Sequence, residues 1–292
     1  MLNLIKANLI RLFKTKLFWI CMAFMLLFGG FMVFCSVPAE GAPEQHIVGT
    51  TESIVFSGST VAGILAAVVT AFFVGTEYSD GTIRNKIIVG HSRPKIYLAN
   101  LVVCTVAAFM LHLIYILVIV TVGQAAVHSF AASSVLLLKL ILISFAAMFA
   151  SESLFLMFAM LIHSKPFAVA ALILVSVSLL AYQEIVFSRV SEPEYFEAYT
   201  WIDESGVEHD EPREKHPNYP TGLKRKYYEF MYDALPGCQT YHLSNMATRA
   251  SDPENKDEIK DEELLKFACC SLIIIAATSA AGLTVFKFKN IK

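Results

Sequence analysis

Residues 54–76 read IVFSGSTVAGILAAVVTAFFVGT, and residues 77–95, which follow directly, read EYSDGTIRNKIIVGHSRPK. The first stretch carries no charge and is long enough to cross the hydrocarbon core of a bilayer, which takes about 20 mainly apolar residues. A second apolar run opens at Ala99, so the polar block stands between two spans. It carries helix signals of its own. Asp80 or Thr82 sits near the start of a short helix whose body is Thr82 to Val89, and Gly90 supplies the stop. Ser92 is placed to cap the next helix, with Pro94 in its first turn. Ile83, Ile87 and Ile88 can face one way while Arg84, Asn85 and Lys86 stay polar, so the short helix can lie along a membrane surface like a foot.

Working outward, further segments of the same kind appear. The full set is Leu17 to Val37, Ile54 to Thr76, Ala99 to Val127, Val135 to Ile162, Phe167 to Phe187 and Leu264 to Phe286. The composition agrees: 56% of residues are hydrophobic and 16% charged, with mean hydropathy +0.58, where a soluble domain has about a quarter of its residues charged. The fold class is therefore an all-α polytopic membrane protein with six transmembrane helices. Its parts are an amphipathic stretch at 1–16, five spans over 17–187, a polar segment at 188–263, and the sixth span with a tail at 264–292.

Lys and Arg near span ends orient a membrane protein, positive side in. Lys6, Arg11, Lys14 and Lys16 precede the first span, Arg84, Lys86, Arg93 and Lys95 follow the second, Lys165 follows the fourth, and Lys287, Lys289 and Lys292 close the chain. All fall on one face, which is expected to be cytoplasmic, with both termini, in the cell membrane. The opposite side receives Glu40 and Glu44, the turn around His128, and the long acidic segment, whose own Lys and Arg do not count because long loops translocate largely regardless of charge. The first apolar run exceeds the core of about 7 to 15 residues of a signal peptide, so it is expected to stay in the protein.

Leu2, Ile5, Leu9, Leu12 and Phe13 recur at helical spacing while Lys6, Arg11 and Lys14 fall elsewhere on the wheel. This predicts an amphipathic helix lying in the inner interface, the plainer alternative being a cytoplasmic extension of the first span. In the polar segment, Tyr195 to Val207 around Asp203-Glu204-Ser205-Gly206 suggests a hairpin, and Leu223 to Leu235 an amphipathic helix. Leu235-Pro-Gly-Cys-Gln239 opens a mildly apolar run that can dip back toward the bilayer.

The chain has no Gly-rich phosphate loop, no His-Glu-x-x-His, no Cys-x-x-Cys and no Gly-x-Ser-x-Gly. It is read as a non-catalytic subunit with no metal site and no cofactor of its own. Of the six cysteines, Cys21, Cys35, Cys104, Cys269 and Cys270 lie in or at the edge of spans and Cys238 outside them, which implies no disulfide framework. A net charge of −2, segregated by side, points to no nucleic-acid partner. Ionisable groups inside spans are costly and deserve a functional reading. His112 and Glu152 lie at similar depths on the third and fourth spans and are candidates for a hydrogen bond across a helix pair, as a structural tie, a substrate contact or a proton relay. Lys139 and Glu184, near the outer interface, are candidates for an ion pair, with snorkelling as the alternative for Lys139. Gly58, Gly63, Ala66 and Ala67 permit close helix packing.

With the sequence from Phe73-Val-Gly-Thr-Glu77-Tyr-Ser-Asp-Gly81-Thr-Ile-Arg84-Asn-Lys86 to Gly90-His-Ser-Arg93-Pro-Lys95, followed by a third span, the chain resembles the permeases of ABC-2 type exporters. Those found in Gram-positive bacteria beside bacitracin or lantibiotic resistance ATPases are the nearest in pattern. The resemblance extends over the whole chain. Leu235-Pro-Gly-Cys-Gln239 is similar to a Leu-Pro-x-Gly-Gln pattern of these permeases, with Gly237 and Cys238 displaced from it. It implies that the segment after the second span is a coupling helix seated in a groove of the ATPase, contacted through Glu77, Gly81, Thr82, Arg84, Asn85, Lys86 and Arg93. It further implies two ATP-binding subunits carrying ATP and Mg, a second permease, identical or related, and export of a lipid-like, drug or bacteriocin-type peptide substrate. Two other classes stay open from the residues alone: an immunity or sensor protein that binds an extracellular peptide without ATP-driven transport, and a secondary transporter using His112 and Glu152.

Overall fold

Thr15 decides where the chain first turns. Its backbone is extended, with φ −79° and ψ 116°, which ends α1 (Leu2–Lys14) and starts α2 (Lys16–Ser36) on the next residue. On α1, Leu4, Asn8 and Leu12 are buried at four-residue spacing and this stripe packs on α5, while Leu2, Ile10 and Phe13 stay exposed. The expected apolar stripe of Leu2, Ile5, Leu9, Leu12 and Phe13 is thus divided: Leu12 is buried, Leu2 and Phe13 are exposed, and the buried face includes the polar Asn8.

The computed structural model describes residues 1–37, 50–127, 130–196, 199–202, 208–211, 213–251 and 259–289. Glu40, Glu44, His128, the hairpin tip at 203–206 and Lys292 lie outside the described residues. The remaining helices are α3 (Thr50–Ser79), α4 (Thr82–Ile88), α5 (Arg93–Val118), α6 (Gln124–Ala126), α7 (Ser134–Leu161), α8 (Lys165–Ser191), α9 (Leu223–Ala234), α10 (Pro236–Ser251) and α11 (Asp261–Phe288). A π-helical turn, Ile119–Gly123, joins α5 to α6. Among the described residues, six helical stretches are long and apolar enough to cross a membrane: Lys16–Ser36, Ile54–Ser79, Arg93–Ala126, Ser134–Leu161, Lys165–Ser191 and Asp261–Phe288. The chain is a multi-pass membrane protein. A two-stranded hairpin of β1 (Tyr199–Ile202) and β2 (Glu208–Glu211) projects from the segment after α8. Its second strand runs past Val207, where the expected hairpin ended, because Ile202 pairs with Glu208.

α3 is the hub, packing against α2, α5, α7, α8 and α10, and α11 packs along α7. Small residues make this possible. Gly58 lies under the ring of Tyr115, which is fully buried and donates its hydroxyl to the Ile54 carbonyl at 2.7 Å. Gly282 on α11 seats Tyr97 of α5 in the same way. Ala66 and Ala67 are buried as expected, whereas a Cβ at Gly63 would meet no atom within 4 Å. α10 lodges against α3, α7 and α8, so the segment that opens with Leu235-Pro-Gly lies inside the bundle.

Two ends of the bundle follow from these contacts. Arg11, Lys86, Arg93 and Lys289 gather at what is called here the basic end. At the far end, Glu52 in the first turn of α3 accepts from the amides of Ala131 at 2.7 Å and Ala132 at 3.3 Å, ahead of the Ser133 cap of α7. Glu52 is itself buried, so it serves as a bracket between two helix starts.

Candidate functional site

The foot forms because two glycines bend the chain around it. Gly81, at φ +67°, takes the N-cap position of α4, and the Asn85 amide reaches its carbonyl at 2.9 Å. Neither Asp80 nor Thr82 provides the cap, since the left-handed turn at position 81 already sets the helix entry. Gly90, at φ +98°, then lets the His91 amide return to the Lys86 carbonyl at 3.0 Å, a glycine stop of the Schellman kind. Ser92 holds the next N-cap position without a side-chain bond, and Pro94 lies in the first turn of α5.

Where α4 meets the bundle, a polar knot forms. Glu77, with no exposed surface, accepts from Arg11 at 3.0 Å, from Asn100 at 2.7 Å and from Lys86. Asn8 closes the ring, donating to Asn100 at 2.6 Å and accepting from Lys86 at 3.0 Å. Arg11 also donates to the Phe73 carbonyl at 2.9 Å and stacks over the Phe73 ring at 4.6 Å. Four helices, α1, α3, α4 and α5, therefore meet at one carboxylate. Burial lowers the Lys86 pKa, and the Glu77 carboxylate acts the other way.

Of the residues expected at a docking surface, Glu77 and Lys86 thus point inward, and Ile83 is buried beside them. Arg84 and Asn85 are exposed, Gly81 and Thr82 half-buried, and Ile88 and Val89 add exposed apolar surface at 72% and 77%. Arg93 has a separate task. Its guanidinium donates to the carbonyls of Phe286 at 3.2 Å, Lys287 at 3.0 Å and Lys289, capping the last turn of α11. Lys289 in turn donates to the Met160 carbonyl at 2.6 Å and the Tyr78 hydroxyl at 3.0 Å, and lies over the Tyr78 ring at 4.4 Å. Burial brings its pKa down to about 8.

The expected pairs within the spans have other partners. His112 bonds Ser144 at 2.9 Å, a little over two helical turns from Glu152 along α7, and Glu152 accepts from Thr70 of α3 at 2.5 Å. The two residues thus sit at different depths. Lys139 pairs with Asp261 at 2.6 Å, because α11 packs along α7, while Glu184 accepts from Tyr241, because α10 packs against α8. Asn8, Asn100, Tyr78 and Glu52 are working residues that the sequence reading passes over. Their signal was present, since Asn8 and Asn100 each interrupt an otherwise apolar helical stripe.

No family model matches the sequence, and no curated protein matches it.

Proposed function

We propose that the chain is the permease subunit of an ABC-2 type exporter, supplying half of a transmembrane pathway and taking its energy from a separate ATP-binding subunit. The observation that carries this reading is the division of α4 into an anchored side and an exposed side. Ile83 and Lys86 bind it to the bundle, while Arg84, Asn85, Ile88 and Val89 face outward. A foot free on both sides would absorb a push, whereas this one passes it to α1, α3 and α5 through Glu77. The exposed residues pair a cation with two aliphatic side chains, a mixture suited to a groove on a soluble protein.

In this reading the basic end is cytoplasmic, two such permeases stand side by side, and two ATPases carrying ATP and Mg close beneath them. Their closure moves both feet and rocks the bundles, and an amphiphilic, drug or peptide substrate leaves on the opposite side. The chain contributes no phosphate loop, so hydrolysis belongs to the partner. The test is affinity purification of the tagged chain from its native membrane. A nucleotide-binding chain should come with it, and Arg84→Glu with Ile88→Asp should release that chain. Recovery of the protein without any nucleotide-binding partner rejects the reading.

A further inference from the structure

A cavity of about 240 Å³ lies between α3, α7 and α8, with the first turn of α10 and Ile274 of α11 completing its wall. Among the described residues, no Asp, Glu, Lys, Arg or His lines it. Its volume falls below the range of about 300–1,000 Å³ of pockets that enclose a whole drug-sized molecule, so it suits a segment of a larger one. α8 and α11 border it without packing along one another, and their outward residues Leu174, Val177, Leu272 and Ile273 are exposed. An entrance between α8 and α11 would be lateral, from the hydrocarbon.

The wall is graded. α3 and α7 run from the far end toward the basic end and α8 runs back, so Ser59, Gln183 and Gly237 lie at the far end of the cavity. Leu154, Phe155 and Ile64 lie at the basic end. The Gln183 amide presses on Gly237 and closes the top, and Ser59 Oγ is buried without a partner among the described residues. Lower down, Ser176 returns its hydroxyl to the Ile173 carbonyl at 2.9 Å, and Ser144 donates to Ile141 at 2.7 Å while bonding His112 at 2.9 Å, so both hydroxyls are satisfied within the protein.

Gly63 leaves the α3 wall of the cavity open. A glycine inside a helix is poorly suited to it, and Gly63 has neither a left-handed backbone nor a neighbour within 4 Å of where its Cβ would be. Gly58, Gly237 and Gly282 each make way for a side chain of the protein. Gly63, like the exposed Gly30, meets no neighbouring atom, but unlike Gly30 it lines the cavity.

We infer that this cavity holds the acyl chain of a membrane amphiphile, inserted with its methyl end toward Leu154 and Phe155 and its polar end toward Ser59 and the start of α10. This requires a chain that spans the membrane, but no ATPase, so its fate is separate from that of the export reading. The experiment uses the full chain in phosphatidylcholine nanodiscs in which a fraction of the lipid bears a photoreactive diazirine at one acyl terminus. Photolysis and peptide mapping should find adducts at Leu154 or Phe155. Gly63→Leu and, from the facing wall, Ser151→Leu should each cut those adducts at least tenfold and leave adducts at lipid-facing Leu174 unchanged. Moving the diazirine next to the acyl carbonyl should shift labelling to the α10 first turn. Adducts confined to outward-facing residues, adducts insensitive to both filling substitutions in variants that melt like wild type, or the reverse order of labelling would each overturn it.

Discussion

Lys86 and Glu77 stand nine positions apart, on either side of the glycine turn, and their side chains meet where the carboxylate has no exposed surface. One consequence is mechanical: α4 cannot move as a rigid piece without moving Glu77, and Glu77 also holds Arg11 and Asn100.

Removing that carboxylate strands cations that were placed to meet it. Loss of one partner from a buried pair costs about 3–5 kcal/mol, and the partial exposure of Arg11 puts Glu77→Ala near the lower limit. Thermal unfolding of the purified chain in detergent is the measurement, with Glu77→Gln, which keeps an acceptor, falling between Ala and wild type. A Glu77→Ala protein as stable as wild type would mean that the knot contributes nothing.

The exposed side of α4 should behave oppositely. Arg84→Glu and Ile88→Asp touch no buried group, so unfolding should change by no more than about 0.5 kcal/mol. Affinity for the proposed ATP-binding subunit should nevertheless fall tenfold or more, which corresponds to about 1.4 kcal/mol. Equal losses of stability in Arg84→Glu and Glu77→Ala would erase the distinction between the two faces of the foot.

The glycines divide in the same way. Gly58→Ala and Gly282→Ala drive a methyl into the buried rings of Tyr115 and Tyr97, and overpacking of this kind costs about 1–3 kcal/mol. Gly63→Ala meets open space and gains helix propensity, so it should raise stability by up to about 1 kcal/mol. Melting curves of the three variants under one detergent condition decide the matter, and a destabilised Gly63→Ala would contradict the open wall.

Lys289 gives a pH signature. Its folded pKa, about 8, lies below the ordinary lysine value of 10.5 because of burial. Between those two values the unfolded chain holds more protons at this site than the folded one, so its contribution to stability grows as pH rises. Wild-type melting temperature relative to Lys289→Met should climb from pH 8 to pH 10 and be flat below pH 7. A difference that shrinks with rising pH would contradict this burial.

The spans, the foot and its glycine stop were legible in the sequence because each rests on a local rule: run length, helical spacing, or the backbone freedom of one residue. The inward turn of Glu77 and Lys86 was not. Side-chain polarity assigns both to water, and only the meeting of α1, α3, α4 and α5 supplies the acceptors and donors that hold them inside. Arg93 illustrates the same limit, since its partners are carbonyls, which carry no residue identity. His112 and Glu152 were matched by depth alone. Depth counted from span ends is too coarse to separate neighbours two helical turns apart, and it says nothing about the hydroxyls of Ser144 and Thr70, which each group found first.

The knot at Glu77 also sets a timetable. Its members, Asn8, Arg11, Glu77, Lys86 and Asn100, all precede α7, so they are synthesised before α7, α8 and α11. The carbonyls that receive Arg93 lie more than 190 positions further on, the nearest being 193 away. The knot therefore needs no residue beyond α5, whereas Arg93 has these carbonyls only once α11 has been made.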